Sequence, residues 1–301
     1  MSALVQITLI SDPACPFAYS AEAVRMRLEY VYGDQLAWRL VVINLTDSDP
    51  EEAARLAEGA PTLQRLYGMP IVPVPRGRPI STEPAARALV AARLFSPGSE
   101  LRLYRRLAVL WHGGVGLLDE PDLIARAALG AGLDPGTLAE WLVSDRVTAA
   151  LAEDMRHARS PSEAAWRLEH KLGGRVGGRR YSAGSYEYAS EHGTFSLPGF
   201  NPIEAHEAVI ANLAPGSERR PFPAAAREVL EWADGPLATA ELALITRTDQ
   251  QVLRAELASY ARCLPLGAEL VWSLEPFDST FAPTPAALIE AVGAVGGASA
   301  A

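Results

Sequence analysis

Cysteine is scarce in this chain: Cys15 and Cys263 are the two in 301 residues. Thiols that far apart in sequence make neither a disulfide framework nor a cysteine-based zinc site. Positive charge is also short. Lys and Arg total 27 against 36 Asp and Glu, a formal net charge of −9. Binding to a phosphate backbone rests on clustered cations, so nucleic-acid binding is not the expected task. No run approaches the roughly 20 apolar residues of a membrane-spanning helix. The N-terminal apolar stretch is too short for a signal peptide and has no basic flank, so a cytoplasmic protein is expected. The histidines His112, His157, His170, His192 and His206 show no paired metal-ligand spacing on one helix face and read as surface or satisfied core residues. The GGRVGGRR stretch (173–180) lacks the Walker spacing and its Lys-Ser/Thr. It reads as a connector, with an anion site through Arg175, Arg179 and Arg180 as the alternative.

What is present is 49% hydrophobic and 21% charged, ordinary for one large domain or two modest ones. The most informative stretch is Leu4 to Gly33. A mostly apolar run (Leu4, Val5, Ile7, Leu9, Ile10) stops at Asp12-Pro13, and Cys15 follows where a helix begins at Pro16. Strand, tight turn and helix N-terminus would place a thiol against the first-turn N–H groups and the helix dipole. Those favour the thiolate, so a reactive Cys15 is expected.

Ala37 to Leu45 reads as the second strand of a β-α-β unit. Helical periodicity then repeats over Pro50–Leu66, Thr82–Phe95, Glu100–Trp111, Pro121–Leu129, Pro135–Val143, Val147–Ala158 and Ser162–Leu172. The proline-rich piece Met69–Pro79 reads as an extended loop. Trp111, Trp141 and Trp166 are expected in the core of this helical region or lining its cleft. Two β-like runs, Arg180–Ala189 and Thr194–Leu197, are joined as a hairpin at Glu191-His192-Gly193, and a helix Pro202–Leu213 follows. Residues 215–223 read as a linker. Beyond it come helices over Ala224–Ala233, from Thr239 and over Asp249–Arg262. The short runs Arg262–Leu266 and Glu269–Leu274 follow, and the chain ends in a tail expected to be flexible. Three helices and a hairpin make a winged-helix pattern, but from Gly216 onward six basic residues face eleven acidic ones, which opposes DNA binding. The apolar run around Cys263 suggests a buried structural cysteine.

In this order, strand, SDPACPFAYS turn, helix, strand, helical insertion, hairpin and closing helix resemble the DsbA family of thioredoxin-fold proteins. The nearest branches are the FrnE-like and 2-hydroxychromene-2-carboxylate isomerase-like ones. The resemblance covers residues 3 to 214 and is most specific at Asp12-Pro13-x-Cys15-Pro16-Phe17, where such proteins carry D-x-x-C-P-W-C. It implies an α/β thioredoxin fold with a large helical insertion (about 49–172) in a domain spanning 1–214. A small C-terminal α+β, winged-helix-like module (224–301) would follow the linker. It also implies that the first cysteine attacks disulfides or binds thiol substrates, that a second resolves the mixed disulfide, and that a cis-proline docks the substrate.

This chain departs from that pattern twice. The resolving position is Ala18, and Ala183-Gly184-Ser185 stands where valine-proline-threonine is usual, with Pro198 the alternative for the docking proline. A dithiol releases its own mixed disulfide, whereas a single thiol needs an external partner such as glutathione or mycothiol. Cys263 is the other sulfur in principle. The expected activity is therefore single-thiol chemistry at Cys15, with no resident cofactor and glutathione or mycothiol as co-substrate. A glutathione- or mycothiol-dependent isomerase or transferase is one alternative. Another is a non-catalytic adaptor for a protein client, similar in layout to the YjbH adaptors. Phe17 is expected at the rim of the site, Tyr19 either packing the first helix or hydrogen-bonding a bound thiol, and Ser20 sharing the latter role. A vestigial Cys15 is the bland reading, against which Pro16 keeps the turn geometry intact.

Overall fold

The computed structural model describes residues 3–45, 50–72, 78, 80–174, 178–278 and 280–281. Part of the Met69–Pro79 loop, Arg175 and the tail from residue 282 lie outside them. Strand β1 (Val5–Ser11) is buried on both faces at its C-terminal half, which is why its sequence is a near-continuous apolar run. It pairs in parallel with β2 (Leu36–Val42), register Leu9 to Leu40. Between them stand helices α1 (Pro16–Ser20) and α2 (Glu22–Tyr32), and Gly33 at φ +53° ends α2, a conformation that glycine adopts without strain. Strands β3 (Ser185–Ser190) and β4 (Gly193–Leu197) complete a four-stranded sheet of order β2-β1-β3-β4, both new pairings antiparallel.

Among the described residues, seven α-helices intervene between β2 and β3: α3 (Pro50–Tyr67), α4 (Glu83–Phe95), α5 (Glu100–His112), α6 (Pro121–Gly130), α7 (Pro135–Leu142), α8 (Asp145–Ala158) and α9 (Glu163–Trp166). Helix α4 buries Ala85, Ala88, Ala91 and Ala92, small side chains that let its neighbours approach closely. The free edge of β2 is covered by an ion pair. Asp154 of α8 accepts the Val42 N–H at 3.0 Å and both guanidinium nitrogens of Arg93 at 2.8 and 2.9 Å, while Arg93 also reaches the Leu40 carbonyl. The helix expected over Ser162–Leu172 is shorter. α9 stops at Trp166, Leu168 leaves helical geometry, and a single 3-10 turn follows. Trp166 is consequently exposed rather than in the core.

After α10 (Ile203–Leu213) the chain gives α11 (Ala226–Trp232), β5 (Leu237–Ala238), α12 (Thr239–Thr246), α13 (Gln250–Leu257), β6 (Arg262–Leu266) and β7 (Glu269–Ser273), with a second sheet ordered β5-β7-β6. The two-residue β5 carries too little pattern to be read from sequence. Cys263 is exposed, not buried, because β6 is an edge strand whose outer residues face solvent. Residues 215–223 lie along α2. The Arg220 N–H donates to the Val31 carbonyl at 2.8 Å, and its guanidinium stands 4.6 Å from the centroid of the Tyr30 ring.

Two arginines join the C-terminal elements to the rest. Arg27, 1% exposed, pairs with Glu207 at 3.0 Å and donates to the Leu244 and Ile245 carbonyls near the end of α12. Arg105 of α5 pairs with the buried Glu241, which also accepts the Ala238 N–H at 2.7 Å. One apolar cluster runs from Val5 and Leu9 through Leu89 and Leu107 to Leu253 and Trp272, so both sheets share a core.

A half-buried ion pair ties α8 to β3. His157 Nε2 lies 2.7 Å from Glu187 Oε2, and the Tyr181 hydroxyl donates to Oε1 at 2.6 Å. The bond to Glu187 raises the His157 pKa. Burial pushes the Glu187 carboxyl up, but the bonds from His157 and Tyr181 pull it below its usual range. The raised histidine contributes stability that is full below pH 6.5 and lost as pH rises through its folded value. The depressed glutamate contributes above pH 4.5 and loses it on acidification. Glu187→Gln is therefore expected to lower unfolding free energy by about 1 kcal/mol in urea titrations between those two pH values. The difference should shrink on either side, and a constant difference from acid to alkaline pH would contradict the pairing.

Candidate functional site

The site begins at the C-terminal end of β1. Asp12 closes an Asx turn: its Oδ1 accepts the Ala14 N–H at 2.7 Å, and its carbonyl accepts the Cys15 N–H at 3.1 Å. Pro13 lies within this turn, and Cys15 is the extended N-cap of α1, with φ −76° and ψ 115°. Pro16 occupies the first helical position, where its missing N–H costs nothing and its fixed φ suits the helix. The Cys15 carbonyl accepts the Tyr19 N–H at 2.9 Å, the first helical bond. Strand, turn and thiol at a helix start are thus as the residues indicate.

The thiol's ionisation is not. Cys15 is 5% exposed, in an apolar cluster with Ile10, Val41, Ile43, Ala158 and Tyr181. Burial pushes the thiol up to about 11; the Ala18 and Phe17 N–H groups and Arg180 pull it down, while the charge on Asp12 adds to the rise. The helix start does supply donors, yet desolvation outweighs them, and the expected activated thiolate is replaced by a neutral thiol.

Around the thiol, Phe17 is exposed at the surface and Ala18 is buried. Tyr19 packs: it is buried and stacks on His112, ring centroids 4.4 Å apart. The Ser20 hydroxyl donates to the Pro16 carbonyl at 2.8 Å, so it is used within the helix.

Residues 183–185 pass directly beside the motif. The Gly184 N–H donates to the Ile10 carbonyl at 2.9 Å, and a Cβ added to Gly184 would lie 3.3 Å from Ala18 Cα. Ala183 is buried, and the Ser185 hydroxyl donates to the Ser182 carbonyl at 2.6 Å while accepting the Gly199 N–H at 2.8 Å. Pro198 follows β4, its carbonyl accepting from Asn201 Nδ2 at 3.1 Å. No peptide bond among the described residues is cis. In the 173–180 stretch, Gly173 and Arg180 bridge the loop's two ends, Arg179 pairs with Glu169 at 3.3 Å, and Arg180 donates to the Tyr181 carbonyl at 2.9 Å.

Two contributors escape sequence reading. Thr82 stands where an N-cap of α4 would, but makes no cap bond; its hydroxyl donates to Asp12 Oδ2 at 2.7 Å instead. Tyr104 on α5 hydrogen-bonds the Ser11 hydroxyl at 2.8 Å beside the turn. Thr82 carried a signal, a threonine before a helix, that pointed to a different use. Among the described residues no group of three or more His, Cys, Asp or Glu is placed to hold a metal ion, and no helix is long and apolar enough to cross a membrane.

Residues 6–162 match the DSBA-like thioredoxin domain, more than half of the chain, and the chain belongs to that family. Among solved structures it resembles a provisionally named protein disulfide isomerase from Nitrosomonas europaea, at 17% identity and a TM-score of 0.55, over 68% of this chain and 95% of that one. The cytosolic disulfide reductase DsbM from Pseudomonas aeruginosa matches at 15% identity and a TM-score of 0.48, over 64% and 88%. A 2-hydroxychromene-2-carboxylate isomerase matches at 16% identity and a TM-score of 0.45, over 69% and 95%. At these identities the likeness is one of fold. No curated protein matches the chain.

Gly184 holds φ +84° with its α-hydrogen side against Ala18. Gly184→Ala is expected to cost about 1–3 kcal/mol in urea unfolding, through backbone strain and the close Ala18 contact. Gly184→Pro should cost about 3 kcal/mol or more, because proline cannot reach that φ and removes the N–H given to Ile10. Alanine tolerated without loss would contradict the described backbone.

Proposed function

We propose that this chain is a DsbA-family thiol protein, of the oxidoreductase and isomerase kind, in which Cys15 is the single reacting group and a low-molecular-weight thiol completes the cycle. The observation that carries the reading is the pairing of Cys15, at the helix start with N–H donors from Phe17 and Ala18, with a sulfur-free Ala18 at the resolving position. In the proposed reaction the Cys15 thiolate attacks a disulfide, forming one S–S bond to the substrate as the other sulfur leaves as thiolate. Glutathione or mycothiol, as its own thiolate, then attacks the mixed disulfide, restores Cys15 and leaves with the substrate sulfur. The buried, neutral thiol makes this reaction slow, and a small thiol or a protein client is the partner in it. A glutathione- or mycothiol-dependent isomerase uses the same parts without net redox change. The reading goes with a cytoplasmic setting, where such thiols are abundant.

The burial of Cys15 favours a second reading, a binding protein on a scaffold that has given up turnover. In this layout residues 1–214 form the DsbA-like domain, 215–223 the connection and 224–301 a winged-helix-like module. Helices α11, α12 and α13 with the β5-β7-β6 sheet support that assignment. Its Gln250 packs against Gly68, and Gly267 of its hairpin against the Ile71 carbonyl. The module's helix start and hairpin tip are thereby engaged within the chain, which supports a role other than nucleic-acid binding.

One experiment separates the two. The Cys263→Ala protein is held with glutathione disulfide at mildly alkaline pH and its intact mass measured. The single-thiol reading expects one glutathione on Cys15, stable after removal of the reagent and released only by added thiol. No adduct, together with the same clients retained by wild-type and Cys15→Ala protein, would establish the binding reading instead.

A further inference from the structure

Asp12 has more partners than a turn residue requires. An Asx turn uses one carboxylate oxygen, and here Oδ1 does that work on the Ala14 N–H. The other oxygen, fully buried, accepts the Leu45 N–H at 3.1 Å and the Thr82 hydroxyl at 2.7 Å. Three segments distant in sequence meet on one carboxylate: the motif turn, the residues after β2, and the start of α4. The same carboxylate stands three residues before the thiol.

We propose that Asp12 is the positioning residue of this site: its carboxylate fixes the Cys15 turn against the residue after β2 and the start of α4, and its charge adds to the burial that disfavours the thiolate. The inference rests on Cys15 being the reacting group. Geometry gives the anchoring, and electrostatics gives the sign, since a like charge beside a forming thiolate disfavours it. Among the described residues, Tyr181 shares the apolar cluster around the thiol. Arg180, ahead of β3, acts on both Asp12 and Cys15 in the opposite sense, and the Tyr104 hydroxyl of α5 lies near the thiol. The Asp12 carboxyl itself is pushed up to about 6 by burial, against the pull of its three donors, so it carries its charge at neutral pH and above. A thiol kept neutral by burial, with its anchoring residue adding to the effect, is less prone to oxidation than an exposed thiolate.

The test is the pH profile of Cys15 alkylation by iodoacetamide, read by intact mass on full-length Cys263→Ala protein, so that no glutathione chemistry is involved. In Asp12→Asn the Asx-turn acceptor survives, and the amide can donate to the Thr82 oxygen. The expected result is a labelling midpoint lower by about one pH unit, which is about tenfold faster labelling below the midpoint. Thr82→Val removes one anchor and keeps the charge; it is expected to change the plateau rate and leave the midpoint in place. A midpoint in Asp12→Asn that is unchanged or higher overturns the proposal, as does an equal shift in Thr82→Val. Should Asp12→Asn not fold, Asp12→Ser, neutral and still able to accept from Ala14, is judged by the same midpoint. If glutathione disulfide fails to modify Cys15 while this shift is found, the functional reading falls and the role of Asp12 stands.

Discussion

The structure turns on a competition at one sulfur. Cys15 sits at the start of α1, where backbone N–H groups and the helix dipole favour a negative charge, and it sits there inside the apolar core, where any charge is disfavoured. Burial wins. That outcome follows from what surrounds the turn, since β2, α8 and the segment before β3 all contribute apolar atoms to the cluster around the thiol. Ala18, which carries no sulfur, stands beside it, so this helix start holds one buried thiol.

The polar groups near the core are organised to hold that arrangement. Asp12, Asp154 and Glu241 are fully buried carboxylates, and each is met by several donors: backbone N–H groups for all three, a threonine hydroxyl for the first and an arginine for the other two. Buried charges met in this way fix geometry more than they add stability, and removing one partner is what costs. The consequence for the C-terminal elements is direct. Arg105 and Arg27 carry α12 against α5 and α2. Tyr19, four residues after Cys15, lies in one apolar cluster with Ala238, Leu266 and Val271, so the flank of α1 is made partly by residues far along the chain.

The backbone plan was legible in the residues because hydrophobic period and punctuation are local. Asp12-Pro13 and Pro16 mark the turn and the helix start, Pro121 and Pro135 open α6 and α7, and the alternation at Tyr186 and Tyr188 marks β3. The position of Gly184 beside the motif was reachable only through the family resemblance, with Pro198 as the alternative. What escaped was set by distant contacts. The exposure of Cys263 depends on β6 being an edge strand, the use of Thr82 depends on where Asp12 lies, and the early end of α9 leaves Trp166 outside. The largest miss was the ionisation of Cys15. A helix start can be recognised in sequence, whereas desolvation by residues as distant as Val41, Ala158 and Ala183 cannot, and here it carries the larger effect.

The most direct measurement is the thiolate absorbance of Cys15 in the Cys263→Ala protein, followed as pH is raised on the native fold. Thiolate absorbs in the ultraviolet where the thiol does not, so the midpoint reports the sulfur itself, after subtraction of a Cys15→Ala, Cys263→Ala control that removes the tyrosine contribution. The account predicts a midpoint near 11, well above a free cysteine. A midpoint at or below the free value of about 8.5 would contradict it, and would restore Cys15 as a thiolate activated by its helix.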